Sequence, residues 1–133
     1  MDAITQRRKS SPNGAGHYQV TDPYPYRVTV LIDGQEVAAS VDALILKEVG
    51  TSLYDPVIYV PRKDVNLDLL QPVEDYSTHC PIKGDASYWD FASGDVSIDK
   101  AAWSYDDPLP YSDAIARHLA FDQRHATIKI SPR

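Results

Sequence analysis

The sequence predicts a mostly β domain, and three observations carry that prediction. Val28, Val30 and Ile32 alternate with Arg27, Thr29 and Leu31, then meet Asp33-Gly34 and a second run, Glu36-Val37-Ala38-Ala39. Strand, Asp-Gly, strand is a strong hairpin signal, because both central residues of the turn need φ > 0. Pro56-Val57-Ile58-Tyr59-Val60-Pro61 is a β-branched run fenced by prolines, so a strand is expected that stops sharply. Ten prolines and nine tyrosines among 133 residues point to many turns and a strand-rich body.

The remaining elements follow in chain order. Residues 1–17 are polar, include Ser10-Ser11-Pro12-Asn13-Gly14, and read as an unstructured tail before a single domain over 18–133. Tyr24-Pro25-Tyr26 leads into the first strand of the hairpin. Residues 43–48 form a short apolar run that reads as a buried strand. Residues 64–70 begin with the N-cap residue Asp64 and read as one or two helical turns, with Val65 and Leu69 on one face. In the run from Ala86 to Phe91, Trp89 and Phe91 point one way and Tyr88 and Asp90 the other. Ser93-Gly94 turns the chain into a strand with Val96 and Ile98 on its apolar face, and residues 102–105 are a further extended piece. Ser112 is expected to cap a short helix running to about Phe121, with Ile115 and Leu119 on one face. Residues 127–130 read as a last strand. There is no internal repeat, and many short strands plus one short C-terminal helix argue for an antiparallel β architecture.

Composition narrows the function classes. A chain of 133 residues can bury a core without a disulfide or a metal. Net charge is −6; residues 1–16 carry +2, from Arg7, Arg8, Lys9 and Asp2, which leaves −8 on the rest. An acidic body opposes the phosphate backbone, where affinity comes mainly from Lys and Arg, so nucleic acid is not expected as a partner. No apolar run reaches the roughly 18–20 residues that span a bilayer. No apolar leader stands at the N-terminus, and the lone Cys80 cannot form an internal disulfide, so a cytoplasmic location is expected.

The chemistry-bearing residues concentrate between 78 and 105. Thr78-His79-Cys80-Pro81-Ile82-Lys83-Gly84 reads as a tight turn entering a strand. Cys80 has Lys83 three residues on and His79 beside it, and positive neighbours favour the reactive thiolate. A free cysteine at a strand-to-turn junction is also what packing alone places there. Lys83 can bind an anion, act as a general acid or form a Schiff base, and Gly84 lets backbone approach a ligand. Tyr59, Tyr88 and Tyr105 sit on strands with Trp89 and Trp103 flanking them. If their faces converge they make an aromatic pocket with hydroxyl handles; the alternative is an aromatic core, which claims Trp89 first. Arg62, Asp64, Glu48 and Asp99 stand near strand ends, where surface ion pairs are the default and one or two can line the same pocket. The candidates for catalysis are therefore Lys83, Tyr88 and Cys80. Those for ligand binding are Tyr59, Arg62, Trp103, Tyr105 and His79.

The series Val60-Pro61-Arg62-Lys63-Asp64-Val65, Cys80-Pro81-Ile82-Lys83-Gly84, Tyr88-Trp89 and Trp103-Ser104-Tyr105 resembles, in order and spacing, the family catalogued as domain of unknown function 427, sometimes labelled nucleotidyltransferase-like. The resemblance covers roughly residues 26–121. It implies a β-tent-like fold, two antiparallel sheets meeting at an angle. Ile82 departs from the family's usual aromatic residue, and the chain after Asp122 lacks the usual acidic, aromatic tail. Zinc-binding relatives of that fold use paired Cys-x-x-Cys knuckles; with one cysteine, no zinc and no other cofactor is expected here. The nucleotidyltransferase label finds no support in the residues, since Asp106 and Asp107 are adjacent and face apart on an extended chain, whereas metal-assisted transfer wants paired carboxylates.

The expected function is a small, cofactor-independent enzyme acting on a compact organic metabolite by acid–base or nucleophilic chemistry. The alternatives are a non-catalytic small-molecule-binding module and a protein-interaction module. A small molecule is the expected partner, and a second copy of the chain is the macromolecular partner this reading leaves open.

Overall fold

The computed structural model describes residues 16–133 together with the backbone of residues 9–10. The strands in chain order are β1 (Lys9–Ser10), β2 (Tyr18–Pro23), β3 (Arg27–Ile32), β4 (Gln35–Ser40), β5 (Leu44–Val49), β6 (Val57–Tyr59), β7 (Leu70–Cys80), β8 (Gly84–Ser93), β9 (Val96–Ser104), β10 (Leu119–Phe121) and β11 (Ala126–Ser131). They form three antiparallel sheets, ordered β1-β2-β5-β6, β10-β9-β8-β7 and β11-β3-β4. The expected pair of sheets is therefore three. Within the expected tail, β1 pairs with Gln19 and Tyr18; the rest of it, to residue 15, lies outside the described residues.

The Asp33-Gly34 hairpin forms as its chemistry requires, with φ of 51° and 72° at the two turn residues. The prolines at 56 and 61 bound β6. The helical turns near residues 64–70 are two 3-10 turns, Arg62–Asp64 and Leu67–Leu69. The capping residue is Asn66, whose side chain accepts from the Asp68 amide; Asp64 instead closes the first turn. The two extended pieces after Gly94 are one strand, β9.

The expected helix from Ser112 to Phe121 does not form. Pro110–Ile115 is a 3-10 turn broken at Ser112, and Arg117 adopts φ of 61°, which ends any helical path. Leu119, Ala120 and Phe121 then pair with Ser104, Trp103 and Ala102. All three are buried, and a short strand buried on both faces mimics helical periodicity.

Two cores result. The larger holds Val28, Val30, Ile32, Val37, Phe91 and Leu119 between the β3–β4–β11 sheet and the β8–β9–β10 strands. The smaller holds Leu46, Tyr59, Ala86, Tyr105, Ile115 and Ala120, with Cys80, Tyr88 and Trp103 packed against it. β8 serves both: Trp89 and Phe91 face the larger core, Ala86 and Tyr88 the smaller. The sheets are stitched by a bridge in which Val60 and Leu119 exchange two backbone bonds of 2.8 Å.

Candidate functional site

β7 delivers Cys80 to a three-residue turn, Pro81-Ile82-Lys83, and Gly84 opens β8. That turn is held from beneath. The Leu109 amide donates to the Lys83 carbonyl at 3.0 Å, and Ser112 Oγ donates to the Ile82 carbonyl at 2.7 Å. Gln19 Nε2, fully buried on β2, donates to Ser112 Oγ at 2.6 Å. Gly84 has φ of +103°, and a Cβ there would meet the Leu109 nitrogen at 3.3 Å. Only glycine suits both the conformation and the close approach. Ile82 is wholly buried, which anchors the turn's middle.

The turn forms one wall of a cleft of about 1220 Å³. The other walls come from β5, β6, the loop after Gly50, and the aromatic face of β8 and β9. Tyr88 and Trp103 lie directly opposite each other in the β8–β9 register. Trp103 Nε1 donates to the Tyr59 hydroxyl at 3.4 Å. The Tyr88 hydroxyl bonds Thr78 Oγ1 at 2.7 Å, and its ring meets Tyr76 edge-on with centroids 5.0 Å apart.

A polar chain joins the turn to β5 along the cleft lining. The Lys83 ammonium donates to Glu48 Oε1, and His17 Nε2 lies 2.8 Å from Glu48 Oε2. Lys83 Nζ also lies 3.8 Å from Cys80 Sγ. Lys83 is only 7% exposed, so its charge depends on Glu48 for compensation. Burial pushes the Glu48 pKa up, but the hydrogen bonds and charges of Lys83 and His17 together outweigh it and hold the carboxyl below its ordinary range. Burial raises the pKa of both Tyr59 and Tyr105 well above that of a free phenol, with nearby Glu48, Cys80 and Tyr88 adding to it. Both therefore remain neutral hydroxyls.

The sequence candidates fall as follows. Lys83, Tyr88, Cys80, Tyr59, Trp103 and Tyr105 all line the cleft. His79 lines its rim, largely exposed and 2.8 Å from Asp85. Arg62 does not line it. Its guanidinium pairs with Asp106 at 2.6 Å, reaches Ser104 Oγ at 3.3 Å and lies 5.3 Å from the Trp89 ring centre, in a cluster outside the cleft. The cleft that gathers the other candidates thus leaves Arg62 out, and its contacts run to β8, β9 and the Asp106 turn. Asp64 accepts from Ser40 Oγ at 2.6 Å, and Asp99 likewise stands off the cleft. Of the charged strand-end residues, Glu48 alone belongs to the site.

Sequence reasoning missed His17, Tyr54, Tyr76, Lys100 and Arg124, all of which line the cleft. Lys100 lies 4.3 Å over the Tyr76 ring, and Arg124 is engaged by Asp122 at 2.7 Å. No local pattern marks them. They arrive through the β2–β5 register, a left-handed residue at Asp75 in β7 and another at Lys100 in β9. Among the described residues, no three His, Cys, Asp or Glu side chains gather as a metal-holding group, and no helix is long and apolar enough to cross a membrane.

Residues 20–131 match the family model described as a domain of unknown function, DUF427. The search of curated proteins finds no match. The family match spans most of the sequence, and the chain belongs to the DUF427 family.

Proposed function

We propose that this DUF427 protein is a small enzyme that acts on a compact organic metabolite in its aromatic cleft, with Lys83 as the central group. The observation that carries the reading is the buried Lys83–Glu48 pair, with His17 on one side of it and Cys80 Sγ on the other, opening onto Tyr88 and Trp103. A buried ion pair contributes little net stability, so its presence at a cleft wall favours a chemical use. In that use Glu48 holds the Lys83 ammonium in place. The ammonium donates a hydrogen bond or a proton to negative charge developing on the substrate. Glu48 and His17 form a route for a proton between Lys83 and the partly exposed His17 side chain. Cys80 and Tyr88 stand within the same cleft as a nucleophile and a hydroxyl acid. Action without a metal, in the cytoplasm, and on a β-tent-like scaffold belongs to the same proposal.

A second reading has its own observation. Lys83 is already satisfied by Glu48, which suits a wall that shapes a binding pocket without turnover. Incubating the protein with a metabolite extract and following products by mass spectrometry separates the two. The enzyme reading expects a product that Lys83→Met reduces by about 100-fold or more, in the range set by loss of a general acid. No product under any condition, with a metabolite retained on the protein, overturns it in favour of the binding module.

A further inference from the structure

We propose that the hydroxyls of Tyr59 and Tyr105 are a paired donor site for the oxygen of an uncharged carbonyl group, so that the cleft selects flat, neutral carbonyl compounds. The inference rests on the cleft being the ligand site and does not depend on turnover.

The two phenols differ from every other tyrosine in the cleft. Tyr59 is 1% exposed and Tyr105 8%, yet both reach its lining. Tyr88, by contrast, shares its hydroxyl with Thr78. The Tyr59 oxygen accepts from Trp103 Nε1, which uses a lone pair and leaves its hydrogen to be donated elsewhere. The Tyr105 hydroxyl has no hydrogen-bond partner among the described residues. Its oxygen is not sealed in the core either, as among the described residues the buried side-chain atoms lacking a partner are Gln19 Oε1 and Arg62 Nε. Two neutral donors thus stand in one packed cluster with Cys80 and Tyr88, at the floor of an aromatic slot. Hydroxyls that reach the cleft without a protein acceptor are met by water there, and a ligand acceptor that replaces that water keeps their hydrogen bonds.

The charge around the slot decides which acceptor fits. The Lys83 ammonium is engaged by Glu48 and the Lys100 ammonium lies over the Tyr76 ring, so neither is placed as an open charge at the two phenols. The Lys83–Glu48 pair is compensated as a unit and gives an anion no net attraction to offset its lost hydration. An amide, ester or ketone oxygen takes two hydrogen bonds there without bringing charge. The flat walls of Tyr88 and Trp103 suit a planar group attached to that carbonyl.

The test uses the full chain and three probes of one size: benzamide, benzoate and toluene. Binding is followed by ¹H–¹⁵N NMR. The protein has two tryptophans. The Trp103 indole, bonded to Tyr59, reports the slot, and the Trp89 indole, bonded to Ser104 Oγ in the other core, is the internal control. Benzamide is expected to move the Trp103 signal saturably and leave Trp89 in place. Benzoate and toluene are expected to bind at least fivefold more weakly. Tyr59→Phe and Tyr105→Phe, which keep the rings, are each expected to weaken benzamide by about fivefold, the loss of one net hydrogen bond, and to leave toluene unchanged. The proposal is overturned if benzamide fails to move Trp103, if toluene or benzoate binds as tightly, or if either variant keeps full benzamide affinity. Tyrosine-dependent benzamide binding without turnover of any metabolite sinks the enzyme reading and leaves this one standing.

Discussion

Arg62 and Lys83 are both cations drawn into the body of the protein, and they are used in different ways. Arg62 is clamped by Asp106 and Ser104 and lies on Trp89, and it does not line the cleft. Lys83 is clamped by Glu48 and bordered by Cys80, and it lines the cleft. The tryptophans divide in the same way. Trp89 packs on the large apolar core and Trp103 on the small one. A buried cation with a carboxylate and an aromatic neighbour is thus no marker of function by itself. What distinguishes Lys83 is the open space in front of it and the second titratable group, His17, behind its partner.

The largest expected effect lies in the larger core. Phe91→Ala empties a wholly buried site in the larger core and should cost about 3–5 kcal/mol in a denaturant melt. Ligand binding at the cleft by the remaining folded protein should be unaffected, and a parallel loss would join two regions the structure separates.

Lys83→Ala comes next. It leaves Glu48 facing the cleft with His17 alone, and a cost of about 3 kcal/mol is expected. Lys83→Met combined with Glu48→Gln removes both charges and should recover more than half of that stability while leaving the protein inactive. If the double variant is no more stable than the single one, the pair is not the coupled unit described.

The same pair sets a pH dependence. The folded-state pKa of Glu48 lies below its ordinary 4.5. Its contribution to stability is therefore complete above that ordinary value and lost as pH falls through the lower, folded one. Melting curves from pH 6 downward should show a steeper loss for the wild type than for Glu48→Gln. Parallel slopes would place the acid sensitivity elsewhere.

Arg62→Met should give the smallest effect, about 1 kcal/mol, because its Asp106 partner is partly exposed and its buried Nε lacks an acceptor. Turnover and probe binding should be unchanged. A lost activity in a folded Arg62→Met would restore the ligand role that the geometry removes.

Much of this was legible locally. Alternation with a period of two placed Tyr88 across from Trp89 on β8, and the Asp33-Gly34 turn needed nothing beyond its own two residues. Clustering of aromatic and reactive residues near the Cys80–Gly84 turn pointed to one wall of the cleft. The other wall was legible only in part: Glu48 stood among the strand-end candidates, but His17 reaches it through the long-range pairing of β2 with β5, which no local pattern encodes. Arg62 stands outside this cleft, and its position at a strand end carries no signal for that, because Asp106 and Trp89 come to it through tertiary pairing. The C-terminal helix failed for a related reason. Ile115 and Leu119 are both buried at helical spacing, but a left-handed Arg117 separates them into a turn and a strand.

On the proposed function, the Lys83–Glu48 pair at the Cys80–Gly84 turn is the working part of the cleft. Its most direct test compares product formation from a metabolite extract by the wild type, by Arg62→Met and by the Lys83→Met, Glu48→Gln double variant, with folding of each verified by its melt. The account predicts the same product from the wild type and Arg62→Met, and at least a 100-fold loss in the double variant. Equal product from all three proteins, or from none, would contradict it.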